Sequence, residues 1–160
     1  MNLLSQRFVI RRATLADLQV IQDLNHELFV SDNALHGDMN VNWPYESTGE
    51  SYFKACIVDE DKLSVLAEDN GKIVGYLNGV IKKPHSAYIG IRAELDNMCV
   101  TKDYRSQGIG TTLINEFKQW AKRNRVDKIT VAATAQNTKA IRFYLQNGFG
   151  EYELKLIQDI

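Results

Sequence analysis

The stretch Tyr104-Arg105-Ser106-Gln107-Gly108-Ile109-Gly110 lies between an extended apolar run and an amphipathic helical stretch. Two glycines at this spacing allow a tight loop whose backbone N–H groups come close to a bound ligand. The first N–H groups of the following helix, which we expect to begin at or near Gly108, have no partners inside that helix. Because the helix dipole also attracts negative charge to this end, the stretch predicts a phosphate-binding loop.

Two common phosphate loops differ from this stretch. A P-loop ends in Gly-Lys-Ser/Thr, whereas Gly110 is followed by Thr111 and Thr112. A dinucleotide fingerprint needs a third glycine where this chain has Leu113, and it belongs in the first strand–helix unit rather than past the middle of the chain. The motif alone fits an ordinary strand-to-helix turn equally well, so the surrounding sequence has to decide.

The sequence on either side of the loop predicts a strand–helix–strand unit. Residues 95–100 are predicted to form a strand that ends just before the loop, and 128–133 is a β-rich run. Strand, helix and strand in this order make a parallel pair with a right-handed crossover. The helix between them carries apolar residues at helical spacing, which we expect to form its buried face: Ile109, Leu113, Ile114, Phe117, Trp120 and Ala121.

The pattern Arg105-x-x-Gly108-x-Gly110 resembles the acetyl-CoA pyrophosphate loop of the GNAT N-acetyltransferases. Asn137 to Tyr144, followed by Gly148-Phe149, is similar to a second pattern of that family. The resemblance is clear over 95–149, weaker over 8–30 and poor over 32–60. It implies an α/β fold, with a mixed, mostly antiparallel central sheet that contains a splayed parallel strand pair and is flanked by helices.

The remaining chain alternates strand and helix signals. Asn70-Gly71 is the strongest short hairpin signal and joins predicted strands at Leu63–Asp69 and Ile73–Ile81. Thr14 is suited to cap a helix, and Gly148 is suited to end one in the left-handed conformation. The other predicted elements are a strand at 7–12, a loop through Trp43-Pro44, a helix near 47–58, a central strand at 88–100 and a last strand at Phe149–Ile157.

Composition indicates one ordinary globular domain spanning 1–160. The chain has 160 residues, 44% hydrophobic and 24% charged, with a net charge of -1. This balance lacks the basic footprint of a nucleic-acid-binding protein, and no apolar run approaches the length of a membrane span. No signal peptide is recognisable, and Cys56 and Cys99 have no metal or redox spacing, so we expect buried reduced thiols in a cytoplasmic protein. A homodimer remains open.

The family resemblance implies the reaction and the donor. The expected activity is direct transfer of an acetyl group from acetyl-CoA to a primary amine of a small molecule, peptide or protein. In the family, the pantetheine arm lies between the splayed strands, and a freed backbone N–H near Met98 polarises the thioester carbonyl. The residues that the resemblance assigns to acetyl-CoA are Met98, Cys99, Val100, Arg105, Ser106, Gln107, Gly108, Ile109, Gly110, Asn137 and Tyr144.

Two residues are candidates for proton transfer. Tyr144 matches the family position from which a phenol protonates the leaving thiolate, although a buried tyrosine with a satisfied hydroxyl is the structural alternative. Glu94 falls where some relatives carry a general base, with Asp96 on the same strand face as the second candidate and water as the third. Asn137 is equally well explained as a helix N-cap. No metal is expected, because His26, His36 and His85 lack ligand spacing.

The segment that selects the acceptor in this family is the least informative here. Its carboxylates and aromatic side chains fit a cationic amine, while a solvated loop with core anchors explains each residue separately. A non-catalytic acyl-CoA sensor on the same fold is the alternative function, and an unrelated nucleotide-binding protein is a distant third. The residues in question are Asp32, His36, Asp38, Trp43, Tyr45, Glu46, Glu50, Tyr52 and Phe53.

Overall fold

The computed structural model describes residues 8–84 and 87–160. Within them, a five-stranded sheet has the order β1-β2-β3-β4-β5, in which only β4 and β5 run parallel. This confirms the predicted α/β fold with a mixed, mostly antiparallel sheet. The strands are β1 (Val9–Arg12), β2 (Lys62–Asp69), β3 (Lys72–Lys82), β4 (Arg92–Val100) and β5 (Lys128–Val131). The helices are α1 (Leu18–His36), α2 (Ser47–Val58), α3 (Ile109–Arg123) and α4 (Thr138–Gln146).

The short-range signals of the sequence correspond to the turns they predict. Asn70 and Gly71 both have positive φ, at 50° and 81°, as a tight hairpin turn between β2 and β3 requires. Thr14 caps a short 3₁₀ turn at Leu15–Asp17 rather than α1 itself, whose N-cap is Asp17, and Thr14 N–H donates to Asp17 Oδ2 at 2.8 Å. Gly148 has φ 87° directly after the C-cap of α4, which confirms it as the left-handed residue that ends this helix.

Apolar side chains form a buried cluster on each face of the sheet. Helices α1 and α2 cover one face, where fully buried residues include Ile21, Phe53 and Tyr76. Helix α3 covers the other face with the apolar stripe predicted from its spacing, and part of α4 packs against the same cluster. Both Cys56 and Cys99 are buried free thiols. Of the helices in the described residues, none has the length and apolar character needed to span a bilayer.

Two strand predictions need correction. The strand predicted over 88–100 begins only at Arg92, because Gly90 has φ 85° and the chain turns before it joins the sheet. The last strand predicted over Phe149–Ile157 is absent, and this segment is irregular and mostly exposed. Its alternating apolar residues meet the side-chain requirement of a strand, but within residues 8–84 and 87–160 no strand pairs with its backbone groups.

A β-bulge interrupts the pairing of β3 with β4. Asn78 pairs with Asn97 and Gly79 pairs with Leu95, so Asp96 is an extra residue on β4. Before and after the bulge, successive side chains of β4 point alternately to the two faces of the sheet, as expected for a strand. The extra residue places Asp96 and Asn97, although consecutive, on the same side as α1 and α2, where both contact Tyr52. The bulge therefore concentrates polar side chains at the middle of β4.

Candidate active site

The glycine loop presents a run of free backbone donors. Helix α3 begins at Ile109, with Gly108 as its left-handed N-cap at φ 85°. The first N–H bonded in the manner of the helix is that of Thr112, which donates to Gly108 O at 3.0 Å. The backbone N–H groups of 106–111 donate to no acceptor within the described residues. Because the positive end of the helix dipole lies behind them, these unpaired N–H groups have the electrostatic character that attracts an anion.

The two glycines of the loop have different roles. Gly108 has open space around its missing side chain, so its positive φ is what requires glycine. Gly110 has an ordinary φ, but a Cβ there would lie 2.8 Å from Phe143 Cζ. Gly110 therefore lets α4 pack closely against the first turn of α3. Arg105 helps to hold the loop, because its Nε donates to Val100 O at 2.7 Å and a terminal nitrogen lies 3.2 Å from Glu27.

The parallel strands separate directly beside this loop. The pairing of β4 with β5 ends at Leu95 and Val131, and the rest of β4 runs on toward the loop without a neighbour on that side. Helix α4 and the glycine loop border the opening, and Phe143 packs against the same apolar cluster as Met98 and Val100. The structure thus contains the splayed pair predicted from the sequence, with Met98 and Val100 at its edge.

The hydrogen-bond ladder shows which backbone groups face the opening. Thr101 N–H donates to Val74 O at 2.9 Å, so this pair belongs to the hydrogen-bonded kind in the antiparallel ladder. Such pairs alternate with pairs whose N–H and C=O groups point away from each other. Val100 and Met98, one and three residues before Thr101, belong to the second kind. Their N–H groups therefore point into the opening, and an extended ligand can pair with them as a strand does.

Cys99 lies between these two residues but faces the other way. Its side chain packs in the cluster beneath α1 and α2, and its main chain belongs to a hydrogen-bonded pair with β3. Burial raises the pKa of the Cys99 thiol to about 12. The thiol therefore stays protonated at neutral pH and lacks the character of a nucleophile.

Tyr144 lies on α4, on the side that packs toward the opening. Its ring makes edge contacts with Phe143 at 5.5 Å and Phe149 at 5.7 Å between centroids. No group in the described residues makes a hydrogen bond with its hydroxyl. Burial, with a further contribution from the Asp32 carboxylate, raises the pKa of Tyr144 to about 12. The phenol is therefore a proton donor throughout the neutral range, with its hydroxyl available to a ligand.

Asn137 acts as the N-cap of α4. Its side-chain oxygen accepts a hydrogen bond from Ala140 N–H at 3.1 Å, which is the structural role expected of asparagine at this position. The cap holds the first turn of the helix that carries Tyr144. Among the described residues, nothing else bonds the Asn137 side chain, so its NH₂ group and one lone pair of its oxygen can make other contacts.

A chain of polar side chains runs along β4 at the bulge. The Tyr52 hydroxyl donates to Asp96 Oδ2 at 3.0 Å and accepts from Asn97 Nδ2 at 2.8 Å. Asn97 Oδ1 in turn accepts from the buried Asn78 Nδ2 at 3.1 Å. These contacts orient the Asp96 carboxylate. The sequence prediction missed Asn97 and Asn78, because the bulge that brings them together has no signal in the local pattern.

The two candidate carboxylates on β4 differ in their surroundings. Lys82 Nζ lies 2.7 Å from Glu94 Oε2 and 3.6 Å from Asp96 Oδ1, which confirms that both side chains lie on one face. The Asp96 side chain is 22% exposed and that of Glu94 is 32% exposed. Asp96 as a whole is nonetheless exposed, so its main chain at the bulge is the more open part. Burial of the carboxylate raises the pKa of Asp96, against the opposing effects of Lys82 and Tyr52.

The predicted acceptor segment divides into a wall and a periphery. Trp43 stacks on Phe29 at 5.8 Å and tilts against Tyr52 at 5.5 Å, while Phe53 is a core anchor with no exposed surface. His36 and Asp32 belong to α1, where His36 Nε2 lies 2.5 Å from Thr134 Oγ1 before α4. Of the remaining residues, Asp38 is exposed. The other three make contacts within the chain: Tyr45 with Asp23, Glu46 with Asn40, and Glu50 with Lys54.

Metal binding has no evident site in the part of the chain that the structure describes. That part contains no group of three or more His, Cys, Asp or Glu side chains arranged to hold an ion. His26 Nδ1 lies 2.7 Å from Val41 O, and His36 contacts Thr134 as above. His85 lies outside the described residues.

Known proteins match this chain in sequence and in fold. It is 27% identical over 128 residues to thialysine N-epsilon-acetyltransferase of Mus musculus, covering 80% of this chain and 69% of that protein. It is 28% identical over 148 residues to streptothricin acetyltransferase A of Bacillus subtilis, covering 88% and 84%.

Solved structures of the same fold include a tetramutant of the BH1408 protein of Bacillus halodurans, with a TM-score of 0.85, 22% identity and coverage of 95% and 99%. They also include aminoglycoside N-acetyltransferase AAC(6')-Iy in complex with CoA, with a TM-score of 0.77 and 15% identity. The match covers 100% of this chain and 99% of that chain. The model of the Acetyltransferase (GNAT) family matches residues 21–149. The glycine loop, the splayed strands and these matches together show that the chain belongs to the GNAT family of acetyltransferases.

Proposed function

We propose that this acetyltransferase moves an acetyl group from acetyl-CoA directly to a primary amine. The observation that carries the proposal is the continuity of free donors from the loop to the strand opening. The N–H groups of 106–111 suit a pyrophosphate, the N–H of Val100 suits an amide of a pantetheine arm, and the N–H of Met98 suits the thioester carbonyl at the end of that arm. Acetyl-CoA suits this arrangement because the loop donors suit its anionic oxygens and the adjoining strand edge suits its extended amide chain.

In the proposed transfer, each of these groups has a separate role. The free amine attacks the thioester carbonyl, whose oxygen gains charge and accepts from Met98 N–H. When the carbon–sulfur bond breaks, the thiolate takes the proton of the Tyr144 hydroxyl. Burial raises the pKa of Cys56 to about 11 and that of Cys99 to about 12, which disfavours an acyl-cysteine intermediate and supports direct transfer.

The nitrogen that forms the new bond must lose a proton to a carboxylate or to water. Glu94, the position chosen from the sequence, is engaged by Lys82 at 2.7 Å. Asp96 is oriented by Tyr52, lies at the bulge and is two residues closer to Met98. A raised pKa also makes its carboxylate the stronger base. We therefore favour Asp96 for this step and retain Glu94 as the competing assignment.

The acceptor that we propose is an amine on a cationic molecule. The α1 side of the opening carries the Asp32 carboxylate near Tyr144, and the β4 side carries Asp96 and Glu94. An aromatic wall of Trp43 and Tyr52 lies beside them, and aromatic faces attract cations. The named relatives act on thialysine, streptothricin and aminoglycosides, all of which are amines. These features support a small cationic amine over a neutral one.

A thiol-release assay tests the proposed function. Purified protein is incubated with acetyl-CoA and, in turn, thialysine, streptothricin, an aminoglycoside, a polyamine and a lysine peptide. We expect the enzyme to acetylate at least one cationic amine. That reaction releases free CoA and increases the mass of the amine by roughly 42 Da, the mass of an acetyl group less the hydrogen it replaces. A protein that binds acetyl-CoA but acetylates none of them would instead support the sensor function.

Thermal melts with acetyl-CoA, CoA and ATP test the donor separately. A ligand that binds only the native state stabilises it by about 2.7 kcal/mol at 100 times its dissociation constant. For a domain of this size, that corresponds to an increase in Tm of about 5–11 °C. We expect this with acetyl-CoA and CoA. No increase with either, or an equal increase with ATP, would contradict the assignment of the loop to CoA.

A further inference from the structure

A row of polar side chains crosses the face of the sheet that α1 and α2 cover. Ser64 on β2 is opposite Asn78 on β3, and Asn78 is opposite Asn97 on β4. Both Ser64 and Asn78 are buried, although the cluster around them on this face is apolar. Burying an amide costs free energy unless hydrogen bonds compensate for the loss of water. The row therefore needs an explanation other than packing.

Three hydrogen bonds lead from this row to the Asp96 carboxylate. Asn78 Nδ2 donates to Asn97 Oδ1 at 3.1 Å, and Asn97 Nδ2 donates to the Tyr52 hydroxyl at 2.8 Å. The Tyr52 hydroxyl donates to Asp96 Oδ2 at 3.0 Å. Because an ionised carboxylate only accepts hydrogen bonds, its charge fixes the direction of all three bonds. The hydroxyl proton of Tyr52 is thus directed at Asp96, while Asn97 occupies a lone pair of the hydroxyl oxygen.

The β-bulge makes this arrangement possible. In a regular strand, consecutive side chains point to opposite faces of the sheet. The extra residue brings both Asp96 and Asn97 within hydrogen-bonding distance of one hydroxyl, with Asn78 opposite Asn97. A single group on α2, the Tyr52 hydroxyl, therefore joins the carboxylate to its buried support.

Packing holds the Tyr52 hydroxyl in place. The centroid of the Tyr52 ring lies 5.5 Å from that of Trp43 and 5.0 Å from that of Phe53. Burial, together with the neighbouring Cys56 and Asp96, raises the pKa of Tyr52 far above its usual value. The hydroxyl therefore keeps its proton and remains a donor to Asp96 over the whole neutral range.

The groups that face Asp96 come from β3, β4 and α2. Burial raises the pKa of Asp96, whereas Lys82 and the hydrogen bond from Tyr52 lower it, and Glu94 adds a smaller increase. Lys82 Nζ lies 3.6 Å from Asp96 Oδ1 but 2.7 Å from Glu94 Oε2, so its ion pair is mainly with Glu94. The Cys56 thiol is neutral, because burial raises its pKa to about 11. Of these groups, Tyr52 makes the shortest contact with the Asp96 carboxylate, at 3.0 Å.

We propose that Tyr52, with Asn97 behind it, is a positioning residue for removal of the proton from the amine. The inference rests on the proposed assignment of Asp96 as the base. Tyr52 occupies Oδ2 of that carboxylate, which leaves Oδ1 to take the proton. The N–H bond of the amine breaks, its electron pair stays on nitrogen, and the proton bonds to Oδ1, from which water later removes it. A carboxylate fixed in this way meets the amine in one geometry.

The pH dependence of kcat/KM for Tyr52→Phe tests this role, with the panel amine that the enzyme acetylates fastest. The variant keeps the ring but removes the donor, so Asp96 becomes ionised only at higher pH. We expect the acidic limb of the profile to move upward by about 1–2 pH units, since a hydrogen bond to a charged group contributes about that much. The rate should recover as pH rises. A purely structural role for the hydroxyl would lower the rate by the same factor at every pH.

Tyr45→Phe is the matched control, because the Tyr45 hydroxyl also donates to a carboxylate, that of Asp23 on α1 at 2.9 Å. It should leave the acidic limb in place. Asn97→Ala should move the limb in the same direction as Tyr52→Phe but less far. In the Tyr52→Phe background, Asn97→Ala should cause no further movement, because Asn97 acts on the carboxylate through the Tyr52 hydroxyl.

An NMR titration of the Asp96 carboxyl group in the protein without ligands separates this inference from the proposed function. The signal is assigned by its loss in Asp96→Asn, and its midpoint should rise in Tyr52→Phe as the kinetic limb does. If neither moves while Asp96→Asn still impairs turnover, Tyr52 has no positioning role and the assignment of the base stands. If the midpoint moves and the limb does not, Asp96 is not the base, and the positioning role is overturned with that assignment.

Discussion

Replacing Gly110 with alanine tests how tightly the glycine loop packs against α4. The added Cβ would lie 2.8 Å from Phe143 Cζ and 3.3 Å from the neighbouring ring carbon. Carbon atoms pack best about 3.5–4.0 Å apart, so the ring has to retreat by about 0.7–1.2 Å. Phe143 packs against the core cluster on the α3 face of the sheet, which leaves it little room to do so.

Overpacking of this kind costs about 1–3 kcal/mol. At about 2–4 °C per kcal/mol for a domain of this size, we expect Gly110→Ala to lower Tm by about 2–12 °C. Urea unfolding of Gly110→Ala, Phe143→Leu and the double variant isolates the contact. Because leucine vacates the space that the methyl group needs, the double variant should lose less stability than the sum of the single losses.

Gly108→Ala is the matched control two residues earlier. A Cβ at Gly108 meets nothing within 4 Å, but its φ of 85° costs an alanine about 1–2 kcal/mol. That loss has no steric partner, so it should add to the loss from Phe143→Leu without coupling. Additive losses for Gly110→Ala as well, or an unchanged Tm in that variant, would refute the packing role of Gly110.

Three further predictions concern the reaction and the fold. Tyr144→Phe should lower turnover about 10²-fold or more while changing acetyl-CoA affinity less than about tenfold, and full turnover by steady-state kinetics would exclude Tyr144 as the acid. Asp96→Asn should reduce turnover about 10²- to 10⁴-fold, with partial recovery at high pH as free amine increases. Glu94→Gln should change turnover far less. If parallel pH profiles show the larger loss in Glu94→Gln, Glu94 is the base. Ion pairing and hydrogen bonding with Arg11 hold the pKa of Asp17 far below its usual range. This contribution to stability is therefore complete above the unfolded pKa of about 3.9 and is lost as pH falls toward the folded value. Asp17→Asn should accordingly destabilise the protein at pH 7 and progressively less below pH 4 or so, and a deficit independent of pH in urea unfolding would contradict this.

The elements that the sequence predicts well depend on short-range signals. The helix predicted near 47–58 is α2, with bounds Ser47–Val58, and the Asn70-Gly71 turn joins β2 to β3 as expected. The loop at 104–110 leads into α3 at Ile109. In each case the deciding residues lie within a few positions of the structure they specify, so no tertiary information is needed.

Features that depend on distant parts of the chain were not predictable in this way. The contact between Gly110 and Phe143 joins residues far apart in sequence, and the motif alone explains both glycines by close approach of a ligand. The segment Phe149–Ile157 has the side-chain pattern of a strand, but a strand also needs a neighbour, and the pattern does not specify one. The bulge at Asp96 is a mismatch in register between two strands, which neither strand reveals alone.

The groups proposed for the donor and for the amine differ in how far substitution of residues can change them. The groups assigned to the donor are almost all backbone N–H groups, at 106–111, Val100 and Met98, and most side-chain substitutions leave them in place. Only conformation or close packing constrains such positions, as at Gly108 and Gly110. The groups assigned to the amine are side chains on α1, α2 and β4, which substitution can exchange freely. A chain built in this way can keep one donor while its acceptor changes, and therefore the acceptor must be found by assay rather than from the fold.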